Sequence, residues 1–185
     1  MNGISKAAKI ITKILEVFHW VGAGLLSAAA VCSAVAPQHI GYFVSFDAKD
    51  CCGASLEAYG FEVNAAFSGG SIDMMSFLLF GIGASVILAL MAMVFRNLHL
   101  IFKKSENGSP FQKDNIRLLK QVGIFSIAVP LVGLFMGFVI RLVVGADASE
   151  VSVDLGGLFM GLVILCLTQY FIHGAALEDD VNGLV

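Results

Sequence analysis

Residues 74–95 read MMSFLLFGIGASVILALMAMVF, 22 residues without a formal charge. A helix needs about 20 predominantly apolar residues to cross a hydrocarbon core of about 30 Å. In lipid every backbone N–H and C=O must be satisfied within its own segment, so a run of this length and composition predicts a helix. Three further runs match it: Val17–Ala36, Val122–Val144 and Leu155–Ile172, of 20, 23 and 18 residues, with Arg141 as their single formal charge. The reading is an all-α membrane protein, a four-transmembrane-helix bundle forming one integral membrane domain over residues 1–185.

The basic residues sort between these runs. Lys6, Lys9 and Lys13 precede the first, and Arg96, Lys103, Lys104, Lys113, Arg117 and Lys120 lie between the second and third, nine of the eleven in all. The positive-inside bias then puts both chain ends and the middle loop in the cytoplasm of a cell-membrane protein. The segments 37–73 and 145–154 face outward and carry eight of the fourteen acids. The bulk charge of −3 hides this separation. No basic patch outside the inner loops suggests direct contact with nucleic acid. Ala34-Val35-Ala36 gives the first run the outline of a signal peptide, but 20 apolar residues exceed the usual 7–15-residue core, so the run is expected to be retained as a span.

The first outer loop is the one connection large enough for structure of its own. Tyr42–Phe46 and Phe61–Asn64 are rich in aromatic and β-branched residues with glycine nearby, which fits either a small β-hairpin or an irregular loop. In the inner loop, Ser109-Pro110-Phe111-Gln112 joins an N-cap side chain to a proline at the first helical position, with Gln completing a capping box. The expectation is a short cytoplasmic helix from Pro110 running into the third span. Lys113, Arg117 and Lys120 recur at three- to four-residue spacing, a basic stripe close to lipid phosphates and a candidate docking surface for a partner.

Polar groups gather at the inner ends of the runs. Glu16 and His19 are one turn apart in the first, Gln169 and His173 in the fourth, and Arg96, Asn97, His99 and Gln121 stand at the same predicted depth. They read as an inner-leaflet polar cluster, either interfacial or lining a site. Gly133-x-x-x-Gly137 and Gly157-x-x-x-Gly161 are small-residue motifs of the kind that let helices approach, so these four glycines are expected on helix–helix contacts in the outer half. Pro130 leaves the Ser126 carbonyl without its usual donor, which predicts a kink. Catalytic signatures are missing. Cys32, Cys51, Cys52 and Cys166 form no C-x-x-C pair, and there is no phosphate loop, zinc-protease His pair or nucleophile elbow. The reading is non-enzymatic, without metal or cofactor.

Ser109-Pro110-Phe111, followed by Asn115, Arg117 and Leu118 and an apolar span, resembles the signature of a bacterial four-span membrane family catalogued as domain of unknown function two-nine-seven-five. The ending Tyr170-Phe171-Ile172-His173-Gly174-Ala175-Ala176-Leu177-Glu178-Asp179-Asp180 is similar to that family's close, while Asn182-Gly183-Leu184-Val185 departs from its usual finish. The resemblance implies a four-span fold without established activity, often encoded beside a small helix-turn-helix regulator.

These readings lead to a regulatory or scaffolding partner of a cytoplasmic protein, such as a small helix-turn-helix regulator. Its surroundings would be the lipid bilayer, and a homo-oligomer is open. A small transporter or channel component is the alternative, although the outer halves of the runs offer almost no polar path. A quinone-linked membrane thiol oxidoreductase shares the span count, with Cys51-Cys52 its one support.

Overall fold

The computed structural model describes residues 3–35, 54–65, 67, 68, 71, 72, 74–105, 111–149, 152 and 154–182. Four long helices account for most of them: α1 Gly3–Val35, α2 Met74–Lys104, α3 Lys113–Val143 and α4 Leu155–Asn182. All four are long and apolar enough to cross a membrane. Each matches one predicted run, except that the first run's end at Ala36 lies outside the described residues and the third run's Val144 falls one residue past α3. Charged flanks extend the helices past the apolar stretches. α4 continues beyond Ile172 to Asn182, so Glu178-Asp179-Asp180 is helical. α3 continues on both sides of Pro130.

α3 begins at Lys113, later than the expected Pro110, and Ser109 and Pro110 lie outside the described residues. The carbonyl of Gln112 accepts from Asn115 N at 2.9 Å and Ile116 N at 3.1 Å, which makes Gln112 the residue that opens the helix. Asp114 in the first turn suits the positive end of the helix dipole.

The strands are short. β1 (Ala54–Ala58) pairs antiparallel with β2 (Phe61–Ala65), Ala58 opposite Phe61, and β3 (Phe67–Ser68) pairs with β4 (Ser71–Ile72). The hairpin partner of Phe61–Asn64 is therefore Ala54–Ala58; Tyr42–Phe46 lies outside the described residues, as do Cys51 and Cys52. Tyr59 and Gly60 join the strands with φ of 53° and 77°, the paired positive values of a type I′ turn. Glycine takes that conformation freely and Tyr59 does not, which is why the sequence signal for this turn is faint.

The chain forms two compact units. The second comprises Val21–Ala89 and Val129–Asp154. Within it the side chains of Phe61 and Val63, two apart on one face of β2, are 2% and 0% exposed. The Phe61 ring stacks on Phe80 with centroids 5.5 Å apart. Glycines make its seat: a Cβ on Gly83 would stand 2.8 Å from Phe61 Cε1, and one on Gly133 would stand 3.5 Å from Phe61 Cβ. Asn64 N donates to Ala148 O at 2.8 Å and Ser149 Oγ to Glu62 O at 2.6 Å, so the connection after α3 is bonded to β2.

The first unit comprises Met1–Trp20, Leu90–Ala128 and Leu155–Val185. Ala92 and Val122 are at most 1% exposed. The buried hydroxyls of Thr12 and Thr168 are satisfied by carbonyls of their own helices, Ala8 at 2.8 Å and Ile164 at 2.9 Å. A tertiary bond from His99 Nδ1 to the Lys9 carbonyl, 3.0 Å long, ties α2 to α1.

Candidate interaction surface in the first unit

The entrance of α3 and the later part of α4 meet in space. Phe111, just ahead of α3, packs against Phe171 of α4 with ring centroids 5.4 Å apart. Gly174 makes the room: a Cβ there would stand 2.8 Å from Phe111 Cε1. From α2, Lys104 Nζ donates to Asp114 Oδ2 at 2.7 Å, and Asn115 Nδ2 donates to Ser105 Oγ at 3.3 Å. Asn115 is 2% exposed. The start of α3 is thus fastened to α2 on one side and α4 on the other.

On the first two turns of α3 Lys113, Arg117 and Lys120 are all exposed. Phe111, Leu118 and Leu119 are partly covered. Asp114 titrates below the ordinary aspartate value of 3.8, first because Lys104 hydrogen-bonds the carboxylate and second because of the Lys104 charge. It lies eight residues ahead of the third apolar run, outside the predicted span.

The polar cluster divides. Glu16 and His19 are 7% and 5% exposed. Lys13 Nζ reaches Glu16 Oε2 at 2.9 Å, His19 Nδ1 donates to Leu15 O at 2.7 Å, and the His19 ring lies 5.0 Å from that of Phe95. Asn97, 4% exposed, donates to Gln121 Oε1 at 3.3 Å. Gln169 and His173 do not join them. Both are exposed, with His173 Nδ1 donating to Gln169 O at 2.9 Å. The physical reason is the rotation of α4: Gly161 and Leu165 face α3 and Thr168 is buried, which turns positions 169 and 173 outward.

The small-residue motifs also divide. Gly161 lies against α3, where its Cβ would stand 2.5 Å from Ile127 Cγ1 and 3.1 Å from Gly123 O. Its partner glycine is Gly123, near the start of the third apolar run, and not Gly133 or Gly137. Gly133 faces the hairpin residue Phe61, Gly137 is buried, and Gly157 is partly exposed. Arg141 and Cys166 are exposed. Among the described residues no three His, Cys, Asp or Glu side chains gather as a metal site.

Sequence reasoning named the basic stripe but missed the Phe111–Gly174 seat and the Lys104–Asp114 pair. The resemblance motifs contained Phe111 and Gly174, yet nothing in their spacing says that they touch. No family, curated protein or solved structure matches the chain.

Proposed function

We propose that this chain is a multi-pass protein of the cell membrane with both ends and the α2–α3 connection in the cytoplasm. Its role is to dock a cytoplasmic protein, such as a small helix-turn-helix regulator, and so to restrain or inform it. The observation that supports this reading is the exposure of Lys113, Arg117 and Lys120 on a turn whose neighbours Phe111, Asp114 and Asn115 are all held by other helices. A fastened backbone presenting exposed charge suits recognition, because little ordering entropy remains to be lost on binding. The segregation of basic residues supports the orientation, and the resemblance around Ser109–Leu118 and Tyr170–Asp180 supports the choice of partner class. Among the described residues the buried polar side chains are largely satisfied by the protein itself, which favours a scaffold over a reaction site.

The test has two arms. A reporter active only outside the membrane should be silent when fused after Val185 and active when inserted near Lys49; the reverse pattern overturns the orientation. With a co-expressed helix-turn-helix protein, the Lys113→Glu, Arg117→Glu, Lys120→Glu variant should insert normally and recover much less partner. Equal recovery from a correctly inserted variant overturns the docking surface.

A further inference from the structure

Two contacts set how α3 and α4 lie side by side. Gly161 meets Gly123, and Gly174 with Phe171 meets Phe111. For an antiparallel pair with equal rise per residue, these contacts place Lys113–Lys120 level with roughly residues 164–171. The later half of the fourth apolar run therefore lies beside the charged opening of α3.

The rotation of the two helices is fixed by the Gly161–Gly123 contact; Phe171 and Gly174, about 80° and 140° round α4 in the other sense, meet Phe111 on the opposite flank. At about 100° per residue, Lys120, Lys113 and Arg117 lie about 60°, 80° and 120° round α3 from Gly123. Gln169 and His173 lie about 80° and 120° round α4 from Gly161. Because α4 runs the opposite way, the same sense of rotation brings these residues to the same flank of the pair. All five are exposed. Asp114 is drawn to Lys104 on another side. Asp180 shares the flank on α4 but lies about 10 Å further along the helix than His173. In the other direction the flank turns apolar, with Ile124 47% and Leu162 54% exposed and Cys166 exposed between the two zones.

We propose that this flank binds one anionic phospholipid. Arg117 can take a phosphate through two parallel N–H donors, Lys113 and Lys120 add charge, and the Gln169 amide adds a neutral donor. His173 keeps Nδ1 on the Gln169 carbonyl, which leaves Nε2 to accept from a headgroup hydroxyl, or to donate once the ring is protonated. The acyl chains run along Ile124, Leu162 and Cys166. That apolar continuation is what favours a lipid over free phosphate. The inference rests on the membrane orientation proposed above and adds a regulation: lipid and cytoplasmic partner compete for the same three basic residues.

The test uses the full chain with Cys32, Cys51 and Cys52 replaced by Ser and a fluorophore on Cys166. It is reconstituted in phosphatidylcholine vesicles containing brominated phosphatidylglycerol or, at equal mole fraction, brominated phosphatidylcholine. Phosphatidylglycerol should quench several-fold more strongly. Its preference should fall about fivefold for each charge removed by Lys113→Gln, Arg117→Gln or Lys120→Gln. Gln169→Leu and His173→Leu should also lower it, whereas Lys103→Gln, an exposed charge on α2, should not. Equal quenching by the two lipids overturns the proposal, and so does an equal loss with Lys103→Gln, which would mean diffuse attraction. Displacement by millimolar inorganic phosphate alone overturns the choice of a lipid. Failure to float with vesicles would instead refute the membrane reading, and each variant is first checked for native helicity.

Discussion

The ring of Phe111 occupies the space that a side chain on Gly174 would need, its Cε1 lying 2.8 Å from where that Cβ would stand. Sixty-three positions separate the two residues, and their contact joins the entrance of α3 to the last turns of α4. Gly174→Ala should therefore lower thermal stability by about 1–3 kcal/mol through overpacking. Phe111→Ala should lower it as well, and the double variant should cost less than the sum, because the second change removes the clash made by the first. Thermal melts in detergent, followed by circular dichroism, read all three; additive losses would refute the contact.

The glycines of the long apolar helices should respond very differently to the same change. Gly161→Ala places a Cβ against Ile127 and the Gly123 carbonyl, backbone that cannot rotate away, and should cost about 1–3 kcal/mol. Gly24 has nothing within 4 Å, so Gly24→Ala should be neutral or stabilise by up to about 1 kcal/mol through helix propensity. Equal melting temperatures for the two variants would contradict the close approach of α3 and α4.

Phe61 anchors the β1–β2 hairpin. Being 2% exposed and stacked on Phe80, its replacement by Ala should cost about 3–5 kcal/mol and release the hairpin to proteolysis. Gly83→Ala should destabilise the same unit by crowding the ring at its Cε1 edge. A hairpin as protease-resistant in Phe61→Ala as in the parent would show that its seat lies elsewhere.

The Lys104–Asp114 pair predicts a pH dependence with a definite sign. Folding lowers the Asp114 pKa below 3.8, so the pair's contribution is fully present above that ordinary value and is lost as pH falls through the lowered one. The difference in melting temperature between the parent and Asp114→Asn should be largest near neutral pH and vanish in that acid range. A difference that persists below it would assign the effect to packing and not to charge.

Some of this architecture was legible because its cause is local. Length and uniform apolarity mark α2 without any knowledge of its neighbours, since the backbone must bond within its own segment. Lys113, Arg117 and Lys120 could be placed on one exposed face for the same reason, because helical spacing relates near neighbours in the chain. The β1–β2 turn was less visible, because Tyr59-Gly60 lacks the Asn or Asp that usually announces paired positive φ values.

By itself, then, the sequence determined the four helices, their order and the gathering of basic residues between them. Tertiary structure alone decided that Phe61 sits among glycines, that Phe111 meets Gly174, and that Gln169 and His173 stay exposed while Glu16 and His19 are buried. Helices that are apolar on almost every side carry no stripe to state which face turns inward. Their rotation and register are set by which small residues let which backbones approach, as Gly161 does with Gly123, and those partners are distant in the chain.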